Sequence, residues 1–140
     1  MTAATSCRHN PVVAVFIYFY YYRNMDTQNA VAALGALAQE TRLKIFRLLV
    51  QAGQEGLAVG RIAELLETEP NGRLSFHLKE LVNAGLASTR QAGRFVFYTA
   101  NYPAMNALLA YLTEQCCGGQ PCGDPVPVCN PEKQTLSANL

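Results

Sequence analysis

Apolar positions recur at helical spacing along much of the chain. From Ala30 to about Ala38, Val31, Leu34, Leu37 and Ala38 fall on one helical stripe. Glu40 to Gln51 predicts a second helix, where Leu43, Phe46, Leu49 and Val50, with Ile45 and Leu48 beside them, form a wide buried face. Arg42, Lys44, Arg47 and Gln51 are the polar positions between them. Gly53 and Gly56 end that helix in a loop. A short third helix is predicted from about Val59 to Glu67, with Ile62, Leu65 and Leu66 inward.

Thr68-Glu69-Pro70 reads as a tight turn. Pro70 suits the first turn of a following helix, where its missing N–H costs nothing. That fourth helix spans about Asn71 to Asn83, with Leu74, Leu78, Leu81 and Val82 as its core stripe and Gly85 as its stop. The period then changes. Leu86 to Gln91 and Arg94 to Ala100 predict two strands, the second alternating Phe95, Phe97 and Thr99 against Val96 and Tyr98. Ala92-Gly93 is the expected hairpin turn. A fifth helix runs from about Pro103 to Gln115, with Met105, Leu108, Leu109 and Leu112 on one side. Beyond Cys117 the chain turns rich in Gly, Pro, Asn and Ser and reads as a loosely ordered tail. The expected fold is mainly α with a small β-hairpin. Two short helices joined by a tight turn and followed by a hairpin make a winged helix-turn-helix, a DNA-reading arrangement.

The 140 residues fit one domain with tails, and half of them are apolar, so a single core can form. A domain this small gains from dimerisation, which buries more surface. The net charge of +1 does not by itself announce a nucleic-acid partner. Locally the balance differs. Between Asn71 and Tyr98, Arg73, Lys79, Arg90 and Arg94 face one acid, Glu80. On the fourth helix Asn71, Arg73, Ser75, Phe76, His77 and Lys79 are candidates for the face away from the core, where Arg and Asn can read base edges in the major groove. Arg90 and Arg94 bracket the hairpin turn and are expected on phosphates. Four such cations per subunit imply a log–log salt slope of roughly −7 for a dimer.

Leu37-Ala38-Gln39-Glu40-Thr41-Arg42-Leu43-Lys44-Ile45 resembles the LA-x-x-TRL-x-I opening of the ArsR/SmtB family of metal-sensing repressors. Leu74-Ser75-Phe76-His77-Leu78-Lys79-Glu80-Leu81, followed by Ala84-Gly85-Leu86, resembles its recognition helix, and Gly93-Arg94 with Tyr98 its wing. The likeness covers about Ala30 to Leu112. It implies a cytoplasmic homodimer, joined mainly through the first and last helices and bound to an imperfect inverted repeat in its own operator-promoter. Met105, Leu108, Leu109 and Leu112 exceed the need of one small core, which fits a dimer seam. DNA binding needs no cofactor on this reading, and no membrane is involved.

Five cysteines, Cys7, Cys116, Cys117, Cys122 and Cys129, are an odd number with an adjacent pair, unlike a secreted disulfide framework. Cys116, Cys117 and Cys122, with Gly118-Gly119 between them, can converge on one soft ion. Trivalent arsenic and antimony favour three sulfurs, and the only histidines, His9 and His77, are far away in sequence. The family's Cys-x-Cys on the third helix is replaced here by Ala58-Val59-Gly60-Arg61, and the zinc sensors' Asp and His ligands are absent from Pro103 to Gln115. The resemblance is therefore closest to arsenical-resistance repressors with a C-terminal cysteine site, and it implies As(III) or Sb(III) as inducer at Cys116, Cys117 and Cys122. Cys129 leaves a tetrahedral site for cadmium, lead or zinc open, and a thiol redox switch is a further reading. No phosphate loop, no Ser/His/Asp arrangement and no Cys-x-x-Cys beside a βαβ pattern supports an enzyme; a metallochaperone is the third class.

The chain divides into residues 1–24, a 25–115 DNA-binding and dimerisation domain, and a 116–140 cysteine-containing tail. Val12 to Tyr22, VVAVFIYFYYY, is shorter than the about 20 residues a bilayer span needs. It resembles a signal-peptide core, but the upstream charge is weak and no small-residue cleavage site follows. We read Met25 as the natural start and residues 1–24 as an upstream extension; a membrane or partner anchor is the rival.

Overall fold

The computed structural model describes residues 24–120. The Val12–Tyr22 run, Cys7, His9, Cys122, Cys129 and the tail after Gln120 lie outside the described residues. Helix α1 is Thr27–Leu37, opened by the Asp26 carboxylate, which accepts from the Asn29 N–H at 2.8 Å. It starts three residues earlier than the apolar stripe suggests, because the cap and not the stripe sets the start. Helix α2 is Glu40–Ala52, capped by Gln39, whose Oε1 accepts from the Arg42 N–H at 2.8 Å. The Arg42 side chain reaches back to α1. Its Nε donates to the Ala36 carbonyl at 2.6 Å and its Nη2 to Gly35 at 3.5 Å. A cation thus satisfies carbonyls that the end of α1 leaves without intrahelical partners.

After a 3₁₀ turn, Gly53–Glu55, comes strand β1, Leu57–Ala58, then helix α3, Val59–Leu65. Helix α4 is Gly72–Asn83, strand β2 Ala87–Ala92, strand β3 Phe95–Ala100 and helix α5 Tyr102–Leu112. The sheet has three antiparallel strands in the order β1-β3-β2, with Leu57 opposite Tyr98 and Ala58 opposite Phe97. A hairpin alone was expected. Two residues are too few to show a period of two, so β1 is invisible as a pattern. Gly56 makes the pairing possible: its φ is 71°, and a Cβ there would run into the Tyr98 carbonyl oxygen.

The hairpin turn falls one residue later than expected. Ala92 pairs with Phe95, so the loop is Gly93-Arg94, and Gly93 (φ 62°) takes the first loop position, where type II′ turns demand positive φ. Helix α5 ends at Leu112, before the expected Gln115. Thr113 turns its hydroxyl back onto the Leu109 carbonyl at 2.9 Å, and Thr113, Glu114 and Gln115 offer no apolar side chain to hold another turn against the core. Gln115 is left-handed (φ 56°), and Cys116–Gly119 form a separate 3₁₀ turn.

Ile45, Leu49, Ile62, Leu78, Leu81 and Leu86 are the largest fully buried side chains. The edges of the expected apolar faces come out differently. Leu43 on α2 and Leu65 on α3 are exposed, and α1 turns Ala30 and Ala33 inward, leaving Val31 63% exposed and Leu34 outside. On α5, Ala104, Ala107 and Leu108 are buried, while Leu109 and Leu112 are more than half exposed. Thr27 Oγ1 and Tyr111 Oη, 2.6 Å apart, join α1 to α5. Tyr102 Oη donates to the Val50 carbonyl at 2.7 Å, tying α5 to the end of α2. Among the described residues no helix is long and apolar enough to cross a membrane.

Candidate nucleic-acid interface

Helices α3 and α4 form the helix-turn-helix. The turn is closed by the Thr68 N–H on the Ala63 carbonyl at 3.0 Å, with Glu67 left-handed (φ 53°). Asn71 opens α4, its Oδ1 accepting from the Leu74 N–H at 3.1 Å. The residue expected to read DNA is thus also the cap that orients the helix. Leu74, Leu78 and Leu81 anchor one side of α4 in the core. That leaves Arg73, Ser75, Phe76 and Lys79 exposed. The structure therefore brings Asn71, Arg73, Ser75, Phe76 and Lys79 to one solvent-facing helix.

His77 differs. It is half-buried, its Nδ1 is shut from solvent without a hydrogen-bond partner, and its ring meets Phe76 edge-on at 5.9 Å. Burial, then the Arg42 and Arg73 guanidinium groups, hold its pKa below the ordinary 6.5. Arg94 lies exposed in the wing loop. Arg90 sits opposite Phe97 inside the ladder, away from the tip. Its Nη2 donates to the Glu55 carbonyl at 3.0 Å and its guanidinium lies 4.9 Å from the Phe97 ring centroid. The sequence reading did not single out Phe95, 64% exposed beside the wing loop. Its strand partner is Ala92, too small to cover it, which only the register reveals.

At the other end of the chain, Cys116 and Cys117 are both exposed, with sulfurs 3.9 Å apart. The Cys116 N–H donates to the carbonyl of Thr113, the C-cap of α5, at 3.0 Å, so the pair follows directly on the end of that helix. Gly118 (φ 65°) and Gly119 (φ 85°) turn the chain after them. Among the described residues no three His, Cys, Asp or Glu side chains gather to hold a metal ion; Cys122, the third expected ligand, is outside them.

Residues 37–90 match the model of a helix-turn-helix domain. The chain is 35% identical over 82 residues to the arsenical resistance operon repressor of Bacillus subtilis, covering 59% of this chain and 73% of that protein. It is 41% identical over 68 residues to a putative arsenical resistance operon repressor, ArsR, of Halobacterium salinarum, covering 49% of this chain. That second match spans about half the length of its relative, 51%. Among solved structures, HlyU from Vibrio cholerae is similar at 33% identity and a TM-score of 0.50, covering 66% of this chain and 99% of HlyU. The capped reading helix, the wing beside it and a relative matched over nearly three quarters of its length agree: this chain belongs to the ArsR family of winged helix-turn-helix DNA-binding transcriptional regulators, which are not enzymes.

Proposed function

We propose that this chain is the homodimeric repressor of an arsenical-resistance operon, released from its operator when As(III) or Sb(III) binds Cys116, Cys117 and Cys122. On this reading residues 25–115 bind DNA and dimerise, and residues 116–140 carry the sensing thiols. Asn71, Arg73, Ser75, Phe76, His77 and Lys79 serve the major groove, with Arg90 and Arg94 beside them. The operator is an imperfect inverted repeat. The observation that carries the proposal is the thiol pair of Cys116 and Cys117, 3.9 Å apart and directly after the end of α5. Thiolates select soft ions, and two sulfurs this close need only side-chain rotation to meet on one of them. The named function of the Bacillus relative supports the same sensing class.

The exposed apolar side chains of α1 and α5, Val31, Leu34, Leu109 and Leu112, support a dimer seam. The seam ends at Leu112, four residues before Cys116. Drawing Cys122 onto the pair reorders the end of α5 and with it the spacing of the two reading heads. A hundredfold loss of DNA affinity needs about 2.7 kcal/mol of coupling, within the usual range. Cys116→Ser, Cys117→Ser and Cys122→Ser should each bind the promoter fragment normally and fail to leave it when arsenite is added in a gel-shift titration. Release of any of them at wild-type arsenite concentrations would overturn the assigned site. Zinc or cadmium arms in the same titration separate the arsenic reading from the tetrahedral one.

A further inference from the structure

Phe76 is 55% exposed on a helix whose other large apolar residues, Leu74, Leu78 and Leu81, are buried. It lies two residues from both Leu74 and Leu78, so at 100° per residue it points to the opposite side of α4. Its only ring contact among the described residues is the edge of His77. Gly72, one turn earlier on the same face, adds no side chain, and nothing lies within 4 Å of where its Cβ would stand. Arg73 and Lys79, three residues before and three after, flank the ring; both are exposed and neither takes part in an ion pair among the described residues. The apolar dimer face does not account for Phe76, because that face is on α1 and α5.

An aromatic ring between two free cations fits a surface that is apolar at its centre and anionic at its margins. The major groove at a thymine is such a surface: the 5-methyl group stands between two phosphate rails. We infer that Phe76 reads a thymine 5-methyl group, making one thymine per half-site a specificity determinant while Arg73 and Lys79 hold the adjoining phosphates. This rests on α4 being the helix that enters the groove. It adds an apolar contact to the hydrogen-bonding readout expected of Asn71 and Ser75.

The test uses the full chain and duplexes enriched by it from a random pool. Each thymine of the best duplex is replaced singly by deoxyuridine, which keeps base pairing and removes only the methyl group. One thymine in each half-site should weaken wild-type binding about fourfold when replaced, the worth of one buried methyl. Phe76→Ala should bind the thymine and uracil duplexes equally, and because the side chain is exposed its thermal midpoint should match wild type. Phe76→Leu should keep part of the discrimination. Enrichment of duplexes without any uracil-sensitive thymine, or undiminished sensitivity in Phe76→Ala, would sink this inference and leave the regulator reading standing. Failure to enrich any duplex would remove both.

Discussion

His77 stands where the reading helix meets the rest of the domain. Its ring is partly inside, its Nδ1 has no partner, and Arg42 from α2 and Arg73 from its own helix both oppose a second positive charge. The imidazole is therefore neutral in the folded protein at pH 7. With the folded pKa below the unfolded value, the unfolded chain binds more protons in the window beneath 6.5. Stability is then full above pH 6.5 and falls as the pH drops through the lower folded value. Melting curves from pH 7.5 to 5 should show a falling midpoint, and His77→Gln should flatten that fall. Glu40 does not confuse the experiment. Its bond to Lys44 lowers its pKa from 4.5, so its contribution is lost only at more acid pH. An unchanged pH profile in His77→Gln would show that the ring is not the titrating group.

At the scale of elements, α1 and α5 each have two apolar faces. Ala30 and Ala33 on one and Ala104, Ala107 and Leu108 on the other supply the core; Val31, Leu34, Leu109 and Leu112 supply nothing to it. Small residues face inward because α1 and α5 lie close together, bridged by Thr27 and Tyr111. On the proposed dimer the larger residues meet the partner protomer, and fully burying each would contribute about 1.5–3 kcal/mol. A charge placed there must be buried unpaired to keep the seam. Leu109→Glu and Leu112→Glu should therefore sediment as folded monomers with unchanged far-ultraviolet circular dichroism, and lose at least tenfold in operator affinity. Persistence of wild-type dimers at micromolar concentration would move the interface elsewhere.

Over the whole molecule, a net charge of +1 gives little long-range pull toward DNA. On the proposed function, attraction comes from the exposed cations of α4 and the wing. Arg90 is already engaged by the Glu55 carbonyl and the Phe97 ring, which leaves Arg73, Lys79 and Arg94 exposed for phosphates in each protomer. At roughly 0.9 per neutralised phosphate, six contacts in a dimer give a log–log salt slope of about −5, shallower than the −7 implied when Arg90 is included. Affinity measured between 50 and 200 mM salt separates the two. Arg90→Ala should leave the slope unchanged if the residue only braces the wing, and a slope reduced by about two units would return Arg90 to the phosphates.

Element type was legible wherever one face is repeatedly apolar. Helices α2 to α4 and strands β2 and β3 could be read because burial imposes a period of 3.6 or 2, and Pro70, Gly85 and Gly93 punctuate them. The adjacent cysteines and the cations between Asn71 and Tyr98 were equally plain, since residue type alone makes them candidates. Direction and register were not. A stripe such as Val31 and Leu34 reads the same whether it faces its own core or a partner, and only packing against the rest of the domain turned Ala30 and Ala33 inward. The two-residue strand β1, the inward lean of His77 and the bracing of Arg90 depend on neighbours distant in sequence, with Arg90 and Glu55 35 positions apart. Local composition determines which elements form and what chemistry they carry; which side each element shows to solvent is decided by long-range contacts that no short window contains.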